Sequence, residues 1–230
     1  MLALPELDAV SVCTPNFLHA ELALASMAAG KHVLCEKPMA NTLENAQQIA
    51  KAAKEVSTIF MMGMNNRFRG DTTVLKALIE AGELGDIYYA KCGWVRRAGI
   101  PGLGGWFTTK SMSGGGPLID LGVHMLDMTM YLMGNPAPVS VSGSTYAHFG
   151  PRGLGSSNYG YKPDPSTPLK YDVEDLATGL IKFDNGATLF VEASWASHIA
   201  HEKNYSILMG TEGGAQLDPF QVFKDMAAFR

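Results

Sequence analysis

Residues 8–38, DAVSVCTPNFLHAELALASMAAGKHVLCEKP, alternate between two kinds of sequence pattern. A short β-branched run at 9–13 ends before Pro15 and predicts a strand. The Ala- and Leu-rich segment that follows ends at Gly30, which is typical of a helix with a glycine C′ residue. A second strand is predicted just before Pro38. Strand, helix and strand with short connections indicate a βαβ unit.

The next segment repeats this order and makes the predicted sheet parallel. Thr42 is a predicted N-cap, the helix runs to about Glu55, and residues 58–64 predict a third strand. This order indicates an α/β, doubly wound, Rossmann-type sheet. Such a sheet usually begins with a Gly-rich strand-to-helix turn, and none precedes the strand at 9–13. We therefore expect its C-terminal half, in a chain truncated at the N-terminus and also at the C-terminus.

Beyond residue 70 the pattern changes to successive strands. The predicted elements are a helix at about 72–81, a strand at 87–95, a Gly-rich loop to 116, a helix at 117–133, and strands near 139–146, 175–183, 187–194 and 205–209. Asp184-Asn185-Gly186 is a hairpin signal. We expect an α+β domain with an open, mostly antiparallel sheet, a long loop at 147–170, and domains at 1–66 and 67–230.

Composition narrows the class of protein. The chain has 230 residues, 47% hydrophobic residues and a net charge of -4, which suits a globular protein and does not favour nucleic acid or membrane partners. Three scattered cysteines, with no Cys-x-x-Cys pair, favour a reducing compartment over a disulfide framework or a zinc site. The N-terminal residues do not resemble a signal peptide and no apolar run reaches about 18 residues, so we expect a cytoplasmic protein.

Polar loops follow the three predicted strands at 14–16, 36–38 and 65–67. Because the carboxyl ends of parallel strands meet at one edge, these loops predict a ligand site. Thr14 and Asn16 could bind a ribose or phosphate, or could be turn residues. Lys37 could polarise a carbonyl or form a surface pair with its neighbouring glutamate. His19 could cap or pack, and Arg67 could clamp an anion or mark the domain junction.

The stretch SGGGPLIDLGVHMLD, residues 113–127, predicts a helix that is apolar and buried on nearly every side. Asp120, His124 and Asp127 nevertheless share one stripe of it. One interpretation is an acid/base pair facing a pocket, with the preceding glycines letting the backbone approach a ligand. A second is a structural hydrogen-bond network in which Asp127 caps a loop. A metal site is a third, although further ligands are not evident.

Four aromatic residues could form a sugar-stacking wall: Trp94, Trp106, Tyr159 and Tyr161. Aromatic faces are apolar but tolerate polar rims, which suits a carbohydrate ligand. The alternative is that these residues fill a core or an interface, which is the commoner place for aromatic side chains.

Several of these motifs, in this order, resemble the GFO/IDH/MocA family, named after glucose–fructose oxidoreductase and inositol dehydrogenase. They are CTPNFLH (13–19), GKHVLCEKPMA (30–40), GMNNRF (63–68), AGELGDI (81–87) and SGGGPLIDLGVHMLD (113–127). The resemblance covers nearly the whole chain. It implies a dinucleotide-binding domain joined to an α/β domain whose sheet commonly mediates dimers or tetramers.

The resemblance also implies roles for individual residues. Lys37, Asp120 and His124 are implied as catalytic residues that also contact the substrate, with His124 as the proton acceptor. Residues implied or placed at the cofactor are Thr14, Pro15, Asn16, His19, Glu36, Lys37, Asn65 and Arg67. Trp106 is placed at the substrate, and no metal is expected.

The expected activity is hydride transfer between NAD or NADP and a secondary alcohol of a sugar or polyol. The Gly-rich turn and the residue that chooses between the two cofactors are absent upstream, so this chain by itself is a doubtful cofactor binder. The alternative is a non-catalytic oligomerisation or sugar-binding scaffold. A lyase or hydrolase that uses transient oxidation is a third possibility.

Overall fold

The computed structural model describes residues 1–157 and 169–224. Its strands are β1 (Ala9–Val12), β2 (His32–Cys35), β3 (Phe60–Met62), β4 (Ile87–Val95), β5 (Pro138–Tyr146), β6 (Leu176–Phe183), β7 (Thr188–Ser194), β8 (Lys203–Gly210), β9 (Gly214–Leu217) and β10 (Gln221–Phe223). Its α-helices are α1 (His19–Ala28), α2 (Leu43–Glu55), α3 (Gly70–Glu80), α4 (Lys110–Ser113) and α5 (Val123–Leu132). The described elements form two sheets in an α/β architecture, which confirms the predicted fold class.

The smaller sheet is parallel, in the order β1-β2-β3, and packs with α1 and α2. Its core includes Val12 and Val33 from the strands and Ile49 from α2. Thr42 caps α2, because its hydroxyl oxygen accepts a hydrogen bond of 3.2 Å from the backbone N–H of Asn45. The strands, the helices and this cap agree with the sequence pattern.

The larger sheet has the order β10-β9-β8-β4-β7-β6-β5. All of its pairs are antiparallel except β4 with β7, which is parallel, so the predicted mostly antiparallel sheet is confirmed. The turn at 184–186 joins β6 to β7 as a hairpin, as predicted. The sequence pattern did not indicate β9 and β10, because strands of four and three residues are too short for alternation to stand out.

One face of the larger sheet packs against α3 and α5 around the main apolar core. Met125, Met128 and Leu132 of α5 are fully buried there, with Leu189 of β7 and Leu208 of β8. Each such side chain contributes roughly 1.5–3 kcal/mol relative to exposure. This packing sets the axis of α5 and therefore the direction of its polar residues.

The helix predicted at 117–133 is present, but its first turn is different. Leu118–Gly122 form a π-helical turn, after which the chain continues as α5. Leu118 is 39% exposed, and with Val123 and Leu126 it lines an apolar groove of about 740 Å³ beside β5 and β6. The predicted burial of nearly every side is therefore wrong for this face, because the helix packs over β4, β7 and β8.

Gly114 and Gly116 bring the loop before this helix close to other parts of the backbone. At Gly114, where φ is +91°, an added Cβ would lie 2.4 Å from the carbonyl oxygen of Asn41. At Gly116 it would lie 2.0 Å from the carbonyl oxygen of Glu174. Protein backbone therefore leaves no space for a side chain at either position, and the approach of these glycines to a ligand stays a prediction.

The predicted domain boundary between residues 66 and 67 falls within the short 3-10 turn Asn65–Phe68. The division into 1–66 and 67–230 stays a prediction. In the predicted long loop, residues 158–168 lie outside the described residues. Within 1–157 and 169–224, no helix combines the length and the apolar character that crossing a bilayer requires.

Candidate active site

Lys37 lies in the loop after β2 and reaches the π-helical turn Leu118–Gly122, which precedes α5. Its Nζ is 2.7 Å from Asp120 Oδ1, and it donates a second hydrogen bond, of 2.9 Å, to the backbone carbonyl oxygen of Asp120. The Lys37 side chain is 18% exposed and that of Asp120 is 14% exposed. This ion pair joins the two sheets in a place where solvent screens charge only weakly.

Asp120 is held from a second side by Trp195. The indole Nε1–H donates a hydrogen bond of 2.9 Å to Asp120 Oδ2, and Trp195 is fully buried. One carboxylate oxygen therefore accepts from Lys37 and the other from Trp195, which sets the orientation of the group. The sequence pattern does not indicate Trp195, because a tryptophan after an apolar strand resembles ordinary core packing.

His124 lies one helical turn after Asp120. Its Nδ1 is buried and has no hydrogen-bond partner in the described part of the chain. Burial, and then the positive charge of Lys37, hold the pKa of His124 below its ordinary value, although Asp120, Glu36 and Asp127 act in the opposite direction. The imidazole is therefore neutral near neutral pH, which is the state that a general base requires.

Asp127, the third polar residue of the stripe, pairs with Arg67 from the turn after β3. Arg67 Nε is 2.8 Å from Asp127 Oδ2, and Arg67 Nη2 is 2.5 Å from Oδ1. Two of the three guanidinium nitrogens are therefore engaged at the junction between the sheets. A contact between Arg67 and the cofactor stays a prediction.

Two residues predicted at the cofactor make contacts within the protein. His19 is fully buried, with one ring nitrogen 2.7 Å from the carbonyl oxygen of Pro38 and the other 2.9 Å from that of Thr14. Both ring nitrogens thus lie beside carbonyl oxygens of two strand-end loops, and the role of His19 at the cofactor stays a prediction. The side-chain amide of Asn16 donates a hydrogen bond of 2.7 Å to the carbonyl oxygen of Ser113.

A cavity of about 140 Å³ lies beside the Lys37–Asp120 pair. Predicted site residues from both halves of the chain line it, namely Thr14, Asn16, Glu36, Lys37, Trp106 and Asp120. The other predicted site residues do not line this cavity, namely Pro15, His19, Asn65, Arg67 and His124, and Asn65 is exposed. Within the described ranges, no group of three or more His, Cys, Asp or Glu side chains is placed to hold a metal ion.

The aromatic residues lie in two places. The ring centroid of Trp94 is 6.4 Å from that of His124. Trp106 stacks on Phe107, with 3.8 Å between centroids, and faces the cavity. Tyr159 and Tyr161 lie outside the described residues, so the four-residue stacking wall stays a prediction.

Two stretches of the chain match known domains. Residues 1–64 match the oxidoreductase family with an NAD-binding Rossmann fold, and residues 72–216, more than half of the chain, match the GFO/IDH/MocA C-terminal domain. The chain belongs to the GFO/IDH/MocA family. This confirms the resemblance that the sequence motifs indicated.

The GFO/IDH/MocA chain is similar to several sugar dehydrogenases. It is 39% identical to D-glucoside 3-dehydrogenase of Escherichia coli over 219 residues, which is 95% of the chain and 61% of the relative. It is 33% identical to levoglucosan dehydrogenase of Pseudarthrobacter phenanthrenivorans over 217 residues, 91% of the chain and 55% of the relative.

A solved structure of levoglucosan dehydrogenase in complex with NADH and levoglucosan has a similar fold. It superposes with a TM-score of 0.84 and 31% identity, and the match covers 100% of this GFO/IDH/MocA chain and 60% of the other. The chain therefore spans between 55% and 61% of the length of these relatives in the three matches.

Proposed function

We propose that this chain carries the catalytic site of an NAD(P)-dependent oxidoreductase that transfers a hydride between nicotinamide and a secondary alcohol of a sugar or polyol. The observation that carries the proposal is the 2.7 Å contact between Lys37 and Asp120, one helical turn before His124. Family membership and the relatives named D-glucoside 3-dehydrogenase and levoglucosan dehydrogenase support the carbohydrate class of substrate.

In this proposal three residues handle the substrate hydroxyl. The nicotinamide, when bound, supplies the carbon that accepts the hydride. His124 takes the hydroxyl proton on an imidazole nitrogen, and its buried Nδ1 has no partner in the described chain. Lys37, oriented by Asp120, donates a hydrogen bond to the same oxygen and stabilises its negative charge as the proton leaves. The substrate carbon thus loses a hydride, its hydroxyl oxygen loses a proton, and the C–O bond becomes a carbonyl.

The strand-end loops fit a dinucleotide. Thr14 Oγ1, just after β1, is buried and has no hydrogen-bond partner among the described residues, which suits it to a ligand hydroxyl. Glu36 lines the same cavity and adds a carboxylate acceptor. Hydroxyl and carboxylate groups at the carboxyl edge of a parallel sheet suit a ribose. Thr14 and Glu36 would hold the cofactor beside Lys37.

Self-association through the larger sheet is also part of the proposal. Lys91, Phe190 and Ile207 pair side by side in β4, β7 and β8, on the face opposite the main core, and are partly exposed. We expect a dimer or tetramer by light scattering, and Ile207→Glu should dissociate it. A wild-type monomer at assay concentrations contradicts this part of the proposal.

The central test is a nicotinamide reduction assay with D-glucosides, anhydro sugars and inositols, each with NAD and with NADP. It is run on the 230-residue chain and on a form extended with the coding sequence upstream of Met1, with fluorescence titration of both reduced cofactors. We expect turnover that Lys37→Ala and His124→Ala each lower by about 10²–10⁴-fold. Normal turnover in either variant contradicts the assigned roles. Binding of cofactor and sugar without turnover favours the scaffold alternative.

A further inference from the structure

The ion pair between Arg67 and Asp127 connects the turn after β3 to α5, the helix that also carries His124. The Asp127 side chain is 14% exposed and that of Arg67 is 36% exposed. We propose that this pair is a positioning element that ties α5 to the smaller sheet and cancels the Asp127 charge one turn from the His124 imidazole. The inference rests on the proposed function only for the catalytic role of His124.

The geometry of the ion pair fixes the orientation of the Asp127 carboxylate and places a positive charge against it. Arg67 engages both oxygens of Asp127 through Nε and Nη2, and a two-pronged contact of this kind fixes orientation as a single contact does not. The Arg67 guanidinium carbon also lies 5.1 Å from the ring centroid of Tyr131, one turn further along α5. Lys76 of α3 approaches the same ring at 5.0 Å. Arg67 is therefore placed by two successive turns of α5.

The charges around His124 explain why Asp127 needs a partner. The charged groups that act on the imidazole are Lys37, Asp120, Glu36 and Asp127. From β4 the ring of Trp94, which is uncharged, faces it. Side chains at i and i+3 are neighbours on a helix, so an uncompensated charge at 127 acts directly on His124. Burial comes first in keeping the imidazole neutral, and in our proposal the pairing of Asp120 with Lys37 and of Asp127 with Arg67 limits the opposing effect of the two carboxylates.

An NMR titration of the imidazole protons of His124 in the 230-residue chain tests this without any assay of turnover. The signal is assigned by its absence in His124→Gln. Arg67→Gln leaves a lone carboxylate and should raise the pKa of His124, whereas Asp127→Asn leaves a lone cation and should lower it. Each shift should be on the order of half a pKa unit. The double variant, with neither charge, should titrate like the wild type.

Arg67→Lys separates charge from positioning. It keeps the cation and loses the fork, so the pKa of His124 should stay near wild type while the midpoint of thermal unfolding falls. The proposal is overturned if the pKa of His124 shifts in the same direction in Arg67→Gln and Asp127→Asn, or shifts in neither. If one single variant is unfolded, the other, read against the double variant, decides the sign. If the pKa of His124 shifts as expected in these variants but the protein does not oxidise sugars, the proposed function is refuted and the inference about the ion pair stands.

Discussion

The π-helical turn Leu118–Gly122 and the helix α5 that continues it carry similar ion pairs with different consequences. In the π-helical turn Lys37 binds Asp120, and in α5 Arg67 binds Asp127. A lysine ammonium has three donors, and two of them are used on Asp120, so one remains for a ligand. The Arg67 fork instead occupies both oxygens of Asp127. The first pair is therefore suited to chemistry and the second to holding the helix.

The backbone conformation also differs between Asp120 and Asp127. Leu118–Gly122 form a π-helical turn, and the carbonyl oxygen of Asp120 within it accepts a hydrogen bond from Lys37. Asp127 lies in regular α-helix. Single π-helical turns are frequent at functional sites. The irregular turn therefore carries the aspartate that orients Lys37 in the proposed chemistry, and α5 carries both His124 and the ion pair that anchors the helix.

The largest expected effects are on turnover, in the form that is active in the assay proposed above. His124→Ala and Lys37→Ala should each lower kcat/KM by about 10²–10⁴-fold, because a proton acceptor or an oriented donor is lost. Arg67→Ala should cost only about tenfold, through looser placement of the helix. Circular dichroism checks that each variant is folded. If Arg67→Ala lowers kcat/KM as much as Lys37→Ala does, the two ion pairs do not differ in the way proposed.

The next effect concerns the approach to the π-helical turn. Gly116→Ala places a Cβ 2.0 Å from the carbonyl oxygen of Glu174, so the backbone must move. We expect a loss of about 3 kcal/mol in the free energy of unfolding, measured in urea. Gly70→Ala is the matched control, because no atom lies within 4 Å of its added Cβ. Equal stability of the two variants would show that the close approach at Gly116 is unimportant.

Trp195→Phe tests the second contact of Asp120 in the π-helical turn. The phenyl ring keeps much of the packing but removes the N–H donor, leaving Asp120 Oδ2 without its partner. The free energy of unfolding should fall by about 2 kcal/mol. Leu103→Val, in the same apolar cluster, controls for lost packing alone. A double-mutant cycle with Asp120→Ala should show coupling between the two residues, and strict additivity would contradict the contact.

The smallest expected effect is on the pH dependence of stability and concerns His124, which lies between Asp120 and Asp127. Burial and Lys37 hold the pKa of His124 below its ordinary value of 6.5 in the folded chain. Below pH 6.5 the unfolded chain takes up a proton that the folded chain resists, so this contribution to stability is lost as the pH falls. His124→Gln should therefore lose less thermal stability than the wild type between about pH 7 and pH 5. Parallel curves would contradict the lowered pKa.

Much of the fold could be predicted because its signals are local. The βαβ order, the Thr42 cap and the hairpin at 184–186 depend on residues a few positions apart. The motifs also pointed to Lys37, Asp120 and His124 as candidates, since residue type and helical spacing are visible in one dimension. The π-helical turn could not be predicted, because the hydrogen-bond register of one turn depends on what packs around it.

By itself the sequence determined the fold class, the order of most elements and the stripe of polar residues on one helix. Only the tertiary structure decided that Lys37 meets Asp120, 83 residues further along the chain, and that Trp195 completes the contact. It also placed both ring nitrogens of His19 beside loop carbonyl oxygens and paired Arg67 with Asp127. The physical reason is that local pattern sets periodicity, whereas the partner of a partly buried charge is chosen by how separate elements pack.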